Sequence, residues 1–193
     1  MDGEDGVSLG DSLAAMPRYI AFLRAINVGG HTVKMDRLRV LFEALDLRNV
    51  ETLIASGNVS FDSAARNRAA LEERIERHLE SALGYEVATF LRTPSELAPV
   101  CAFRPASGSV ADSEARTLYV AFLKAEPTEE TKRKLLALCN EVNSFYFNGR
   151  EFYWSCAIRS ADSAFSGALL ERMLKMPVTL RNITTVRRLA APA

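Results

Sequence analysis

The sequence predicts an α+β fold made by tandem duplication of two ferredoxin-like (βαββαβ) halves, each followed by a short helix. Three observations carry the prediction. The segment Tyr19-Ile20-Ala21-Phe22-Leu23-Arg24-Ala25 returns as Tyr119-Val120-Ala121-Phe122-Leu123-Lys124-Ala125, changed only from Ile to Val and from Arg to Lys. Each copy is followed by the same succession of signals: an amphipathic helix, two short β-type runs around a turn, a second helix and a further strand. Both turns carry Gly beside Asn, Gly57-Asn58 and Asn148-Gly149, the strongest short-range sign of a hairpin.

In chain order, the first copy of the repeat is a strand, and the loop after it leads into a helix with Met35, Leu38, Phe42 and Leu45 on one face. The runs Val50 to Ala55 and Val59 to Phe61 form a hairpin around Gly57-Asn58. A second helix carries Leu71, Ile75, Leu79 and Ala82 and stops at Gly84, where a left-handed residue closes a helix cheaply. Tyr85 to Leu91 is the fourth strand, and Thr93-Pro94-Ser95-Glu96 opens a terminal helix with a capping box and Pro at its first position. In the second half, Pro127, Glu129 and Glu130 open a helix bearing Leu135, Leu138, Cys139 and Val142. The runs Ser144 to Phe147 and Glu151 to Ser155 flank Asn148-Gly149, and a helix with Leu169, Leu170, Met173 and Leu174 follows a Ser166 cap. Val178 to Arg181 is the last strand, and Asn182 caps the final helix.

These signals divide the chain into a disordered extension at residues 1–15, a first half at 16–103, a linker at 104–116 and a second half at 117–193. One face of each sheet is covered by its own two helices, so the other faces are free to pack together or to bind something. On the second hairpin, alternation puts Phe145 with Phe147 and Phe152 with Trp154 on core faces and leaves Tyr146 and Tyr153 opposite. In RNA-recognition modules of this topology that opposite face stacks bases, an analogy of fold alone.

Composition sets the class. With 48% hydrophobic and 25% charged residues, the chain is neither disordered nor collagenous nor a disulfide scaffold. Cys101, Cys139 and Cys156 are odd in number and share no CxxC spacing, which favours a reducing, cytoplasmic setting and structural thiols over a metal site. No window approaches the roughly 20 apolar residues that cross a bilayer, so no membrane partner is expected. The 24 basic and 24 acidic residues balance, but Asp2, Glu4, Asp5 and Asp11 lie in the first fifteen residues, which leaves a net +4 on the rest. Arg172, Lys175, Arg181, Arg187 and Arg188 gather in the last 22 residues without an acid. A pI near 6.8 is nevertheless far from the footprint of a typical nucleic-acid binder.

Three segments, Leu23 to Gly30 (LRAINVGG), Ser56 to Phe61 (SGNVSF) and Arg181 to Leu189 (RNITTVRRL), resemble a bacterial family called domain of unknown function 1697, over about Met16 to Leu189. The resemblance implies two ferredoxin-like halves and brings no established activity, cofactor or catalytic residue. Two departures stand out: the family usually has Trp where this chain has Ile183, and a Gly-Arg-Ser-Lys-like run where this chain reads Ser160 to Gly167.

The chemistry the residues suggest is anion binding. The loop Asn27, Val28, Gly29, Gly30, His31, Thr32, Val33, Lys34 joins the first strand to the first helix, where glycines let backbone amides approach a ligand and a helix start favours negative charge. Arg24 on the preceding strand reaches a phosphate bidentately, and His31 and Lys34 supply titratable and cationic groups. Asn58 offers an amide, although the hairpin turn explains Gly57-Asn58 by itself. Arg181, Asn182 and Thr185 form a strand-to-helix junction with free amides and a hydroxyl. The partner expected is an anionic small molecule, a nucleotide or a phosphorylated compound, with no cofactor and no metal. The alternatives are nucleic acid held by Arg187 and Arg188, a homodimeric scaffold joined through the open sheet face, and an enzyme acting on a phosphorylated small molecule with His31 as acid or base.

Overall fold

The computed structural model describes residues 16–26, 30, 32–53, 57–104 and 116–191. The first part of the chain contributes β1 (Arg18–Leu23), α1 (Met35–Glu43), β2 (Arg48–Leu53), β3 (Asn58–Asp62), α2 (Arg68–Leu83), β4 (Thr89–Arg92) and α3 (Pro94–Ala102). The second contributes β5 (Thr117–Leu123), α4 (Glu129–Leu136), β6 (Asn143–Asn148), β7 (Glu151–Cys156), α5 (Gly167–Leu174), β8 (Val178–Asn182) and α6 (Ile183–Ala190), with a single 3-10 turn at Ser160–Asp162. The strands form two four-stranded antiparallel sheets, ordered β2-β3-β1-β4 and β6-β7-β5-β8. Two such sheets with six helices among the described residues make an α+β architecture consistent with a two-half duplication.

The repeated segment occupies the same place in both sheets, and its unbroken apolar character has a physical reason: both faces of the strand are buried. In β1, Ala21 and Leu23 point into a core with Leu38 and Phe42 of α1 and Leu71, Ile75 and Leu79 of α2. Ile20 and Phe22 point the other way, onto Val120 and Phe122 of β5. In β5, Ala121 and Leu123 face Leu135 of α4 and Leu170 and Leu174 of α5. The two sheets therefore pack on each other through the faces their own helices leave open. The rings of Phe22 and Phe122 stack at 4.1 Å, and Leu97 and Val100 of α3 and Val186 and Leu189 of α6 close the edges of this shared layer. A homodimer through the open sheet face has no such face available, because each sheet covers the other.

Several element ends differ from the sequence-based reading. The helix expected to carry Leu138, Cys139 and Val142 ends at Leu136. Tight bonds from Leu138 N to Leu135 O and from Cys139 N to Leu136 O end it, and the Asn140 side chain then accepts from Val142 N and Asn143 N to turn the chain into β6. Cys139 is consequently exposed rather than a core thiol, whereas Cys156 is buried. The strand expected from Tyr85 starts at Thr89, opposite Leu23, where β1 ends. In the first hairpin Asn58 pairs with Leu53 as the first residue of β3, not as half of a two-residue turn, and residues 54–56 lie outside the described residues.

The capping box at Thr93 is present and is tied to the neighbouring helix. Thr93 Oγ1 accepts from Glu96 N, Glu96 accepts from Thr93 N, and the Arg68 guanidinium of α2 grips both carboxylate oxygens. Burial pushes the Glu96 carboxyl up, but the hydrogen bonds from Arg68 and Thr93 outweigh it and hold the group below its ordinary 4.5. A carboxyl depressed in the folded state contributes stability above its unfolded titration and loses it as pH falls through the folded one. Glu96→Gln is expected to melt below the native protein at neutral pH, with the gap narrowing as the medium is acidified below about 4.5. A gap independent of pH in thermal melts would show that charge contributes nothing there.

Candidate functional site

At the end of β1 the chain leaves the sheet under visible constraint: Ala25 adopts φ 64, a left-handed conformation that costs a non-glycine residue about 1–3 kcal/mol. Beside it Arg24, half-exposed, meets Glu171 of α5, with Nε 2.6 Å from one carboxylate oxygen and Nη2 2.8 Å from the other. Glu171 is itself fixed by accepting Val178 N at 2.9 Å, so the start of β8 orients the acid that holds Arg24. On the inner side, Arg181 donates from Nη2 to Leu23 O at 2.8 Å, from Nε to Asn58 Oδ1 at 2.9 Å and from Nη1 to Thr179 Oγ1 at 2.8 Å. Burial pushes the Arg181 guanidinium down to about 10. Asn58, fully buried, completes the chain by donating to Leu53 O. Gly57 is required here twice over: its φ is +73, and a Cβ on it would sit 2.9 Å from Cβ of Ile26.

The end of β5 repeats this arrangement with the halves exchanged. Lys124, the counterpart of Arg24, is held by Glu72 at 3.0 Å and Glu76 at 2.7 Å on α2, and Glu76 accepts Thr89 N as Glu171 accepts Val178 N. Arg92, the counterpart of Arg181, donates to Leu123 O, to Arg150 O and to Glu151. Glu151 thus stands at the first position of β7, where Asn58 stands in β3.

Of the residues singled out from the sequence, the fold brings Arg24, Asn58 and Arg181 together around the end of β1. Gly30 and Lys34 lie beyond it towards α1, both exposed; Gly30 has φ 89, and Lys34 is the N-cap residue of α1 without a side-chain capping bond. Asn27, Gly29 and His31 lie outside the described residues. Asn182 caps α6 by accepting Thr184 N, and Thr185 is half-buried in the first turn of that helix. Among the described residues no side-chain hydrogen bond or ion pair joins either to Arg24 or Asn58. Arg187 donates to Cys101 O of α3 and is half-buried, while Arg188 is exposed. Tyr153 is buried under the ring of Phe103 at 3.7 Å, so the aromatic face of the second hairpin is covered.

The sequence reading missed Glu171, Arg92, Lys124, Glu151 and Arg150. The signal was present in the repeat: Lys124 aligns with Arg24, and Leu91-Arg92 ends one strand as Leu180-Arg181 nearly ends its counterpart. Among the described residues no group of three or more His, Cys, Asp or Glu is placed to hold a metal ion, and no helix is long and apolar enough to cross a membrane.

Residues 16–153 match the model of a family described as protein of unknown function (DUF1697). The fold is also that of a conserved bacterial protein, SP0830 from Streptococcus pneumoniae, at a TM-score of 0.70 and 24% identity, covering 91% of this chain and 97% of that one. No curated protein matches the chain.

Proposed function

Because the chain belongs to the DUF1697 family, whose description carries no activity, we propose a function from its own residues: it binds an anionic small molecule, a nucleotide or another phosphorylated compound, at the loop that follows β1. The observation that supports this most directly is that two arginines from opposite halves attach to one strand end, Arg181 through Leu23 O and Arg24 as the next residue of the chain. Arg181 reaches Leu23 O across 158 positions of sequence, and Arg24 follows Leu23 with its side chain half-exposed. The glycine-bearing loop and the start of α1 continue from there, with Lys34 exposed at the cap. Arg24 is the group that meets ligand; Arg181 and Asn58 are positioning residues that hold the strand end from behind. We also read residues 16–103 and 117–193 as ferredoxin-like units joined by 104–116, a reading supported by the same strand order in both sheets and by the repeated segment.

Glu171 competes with the ligand for Arg24, which gives the test its sign. Glu171→Gln keeps an acceptor for Val178 N while releasing the guanidinium, so it is expected to tighten binding of a phosphorylated probe such as AMP. Arg24→Ala is expected to weaken it about tenfold, the loss of one charged hydrogen-bonding partner. Calorimetric titration of both variants measures this, with native mass spectra of protein from its own cells showing any retained ligand. Unchanged affinity in both variants sinks the proposal.

A further inference from the structure

We propose a second anion site, for the phosphate or diphosphate of a small molecule, in the cleft between the start of α2 and the β6–β7 turn. The cleft has a volume of about 630 Å³ and is lined chiefly by Arg66, Asn67, Arg68, Glu72, Lys124 and Arg150. That is the size of an ordinary small-ligand pocket, roughly 300–1,000 Å³. Its four cations come from three separate segments: the lead-in and first turn of α2, the residue after β5, and the turn between β6 and β7. One carboxylate, Glu72, shares the wall with them.

The charge gathers against local electrostatics. α2 is sixteen residues long, has no acid in its first turn and begins with Arg68, although a helix start disfavours cations. Arg150 is flanked by more guanidinium: burial first, then Arg92 and Arg68, hold it below its ordinary value. The acids behind the cleft offset part of this, with Glu96 gripping Arg68 and lying 3.6 Å from Arg150, and Glu72 and Glu76 holding Lys124. Arg66 is exposed and makes no ion pair or side-chain hydrogen bond with a described residue. Three forked guanidiniums and one ammonium match a group with several anionic oxygens better than a lone carboxylate, and the four cations still exceed the acids that hold them, Glu72, Glu76 and Glu96, by one charge. The remaining volume accommodates the rest of a small molecule.

This cleft is distinct from the site at the end of β1, and its test keeps the two apart. The probe is inorganic pyrophosphate, titrated into the full chain and followed by backbone amide NMR shifts. Saturable shifts at residues 66–69 and 150 are expected, with affinity about tenfold or more weaker in the double variant Arg66→Ser/Arg150→Ser. They should persist in Arg24→Ala. Arg66→Ser alone, at an exposed side chain, is expected to melt like the native protein and still bind more weakly, which separates loss of binding from loss of fold. Shifts confined to the end of β1, equal affinity in the double variant, an equal response to chloride at matched ionic strength, or binding of single-stranded oligonucleotide without pyrophosphate would each overturn the proposal.

Discussion

Phe122→Ala is expected to lower the unfolding free energy by about 3–5 kcal/mol, the usual loss for a large aromatic removed from a core that cannot collapse around the gap. Phe122 is wholly buried, stacks on Phe22 of the other sheet at 4.1 Å and 21°, and carries the Arg92 guanidinium 5.2 Å from its ring centre. The cavity would open between two sheets, each held at its spacing by its own hydrogen-bond ladder, so neither can close it. Phe22→Ala should cost a similar amount, and the pair should be less than additive, because the second truncation removes a ring that has already lost its partner. Urea denaturation of the two single variants and the double variant measures this. A cost near 1 kcal/mol for either ring would mean that the sheets are loosely packed.

The same two rings show what the sequence could and could not convey about the fold. A run such as Tyr19 to Leu23, apolar at every position, marks a strand buried on both faces, and its return at Tyr119 to Leu123 reveals that the pattern occurs twice. What covers the second face is a property of the partner surface, which local pattern does not encode. An aromatic sheet face that stacks on a ligand and one that the protein itself covers read alike, as Tyr153 under Phe103 illustrates. Helix ends were legible where a side chain made them: Thr93, Ser166 and Asn182 all accept the expected amide. The end of α4 was not, because apolar spacing runs on through Leu138 and Cys139 while backbone bonding has already tightened and turned.

Legibility of the candidate site divides in the same way. Arg24 and Arg181 stood out beside the glycine loop and at the strand-to-helix junction, and the fold brings both to the end of β1. Their partners were hidden by distance: Glu171 lies 147 positions from Arg24 and looks, in sequence, like any solvated helix residue. Asn58 was legible as a turn former, but the register that pairs it with Leu53 places it inside β3, where its amide bridges Arg181 to a backbone carbonyl. Arg66 and Arg150 carry no local signal at all, since the cleft they line exists only once α2 and the β6–β7 turn meet.

Arg92→Met is the second large expected loss, about 3–5 kcal/mol, because it strands a carboxylate and removes the donor to three carbonyls at once. Arg92 is 1% exposed, and its guanidinium bonds Glu151 at 2.8 Å, Leu91 O at 2.9 Å and Leu123 O at 3.3 Å, with Arg150 O at 3.5 Å. Glu151→Gln should recover part of the loss when combined with it, since an amide left in that position is far cheaper to bury than a charge. Arg181 supplies the internal control. It spans the same strand ends in the other half, but its Nε meets the neutral amide of Asn58 where Arg92 meets Glu151. Arg181→Met therefore leaves a buried amide and carbonyls, and its cost is expected to be the smaller of the two. A loss at Arg181 equal to that at Arg92 would assign the stabilisation to the bridged carbonyls common to both sites, whereas a loss at Arg92 that Glu151→Gln reverses in part assigns it to the carboxylate.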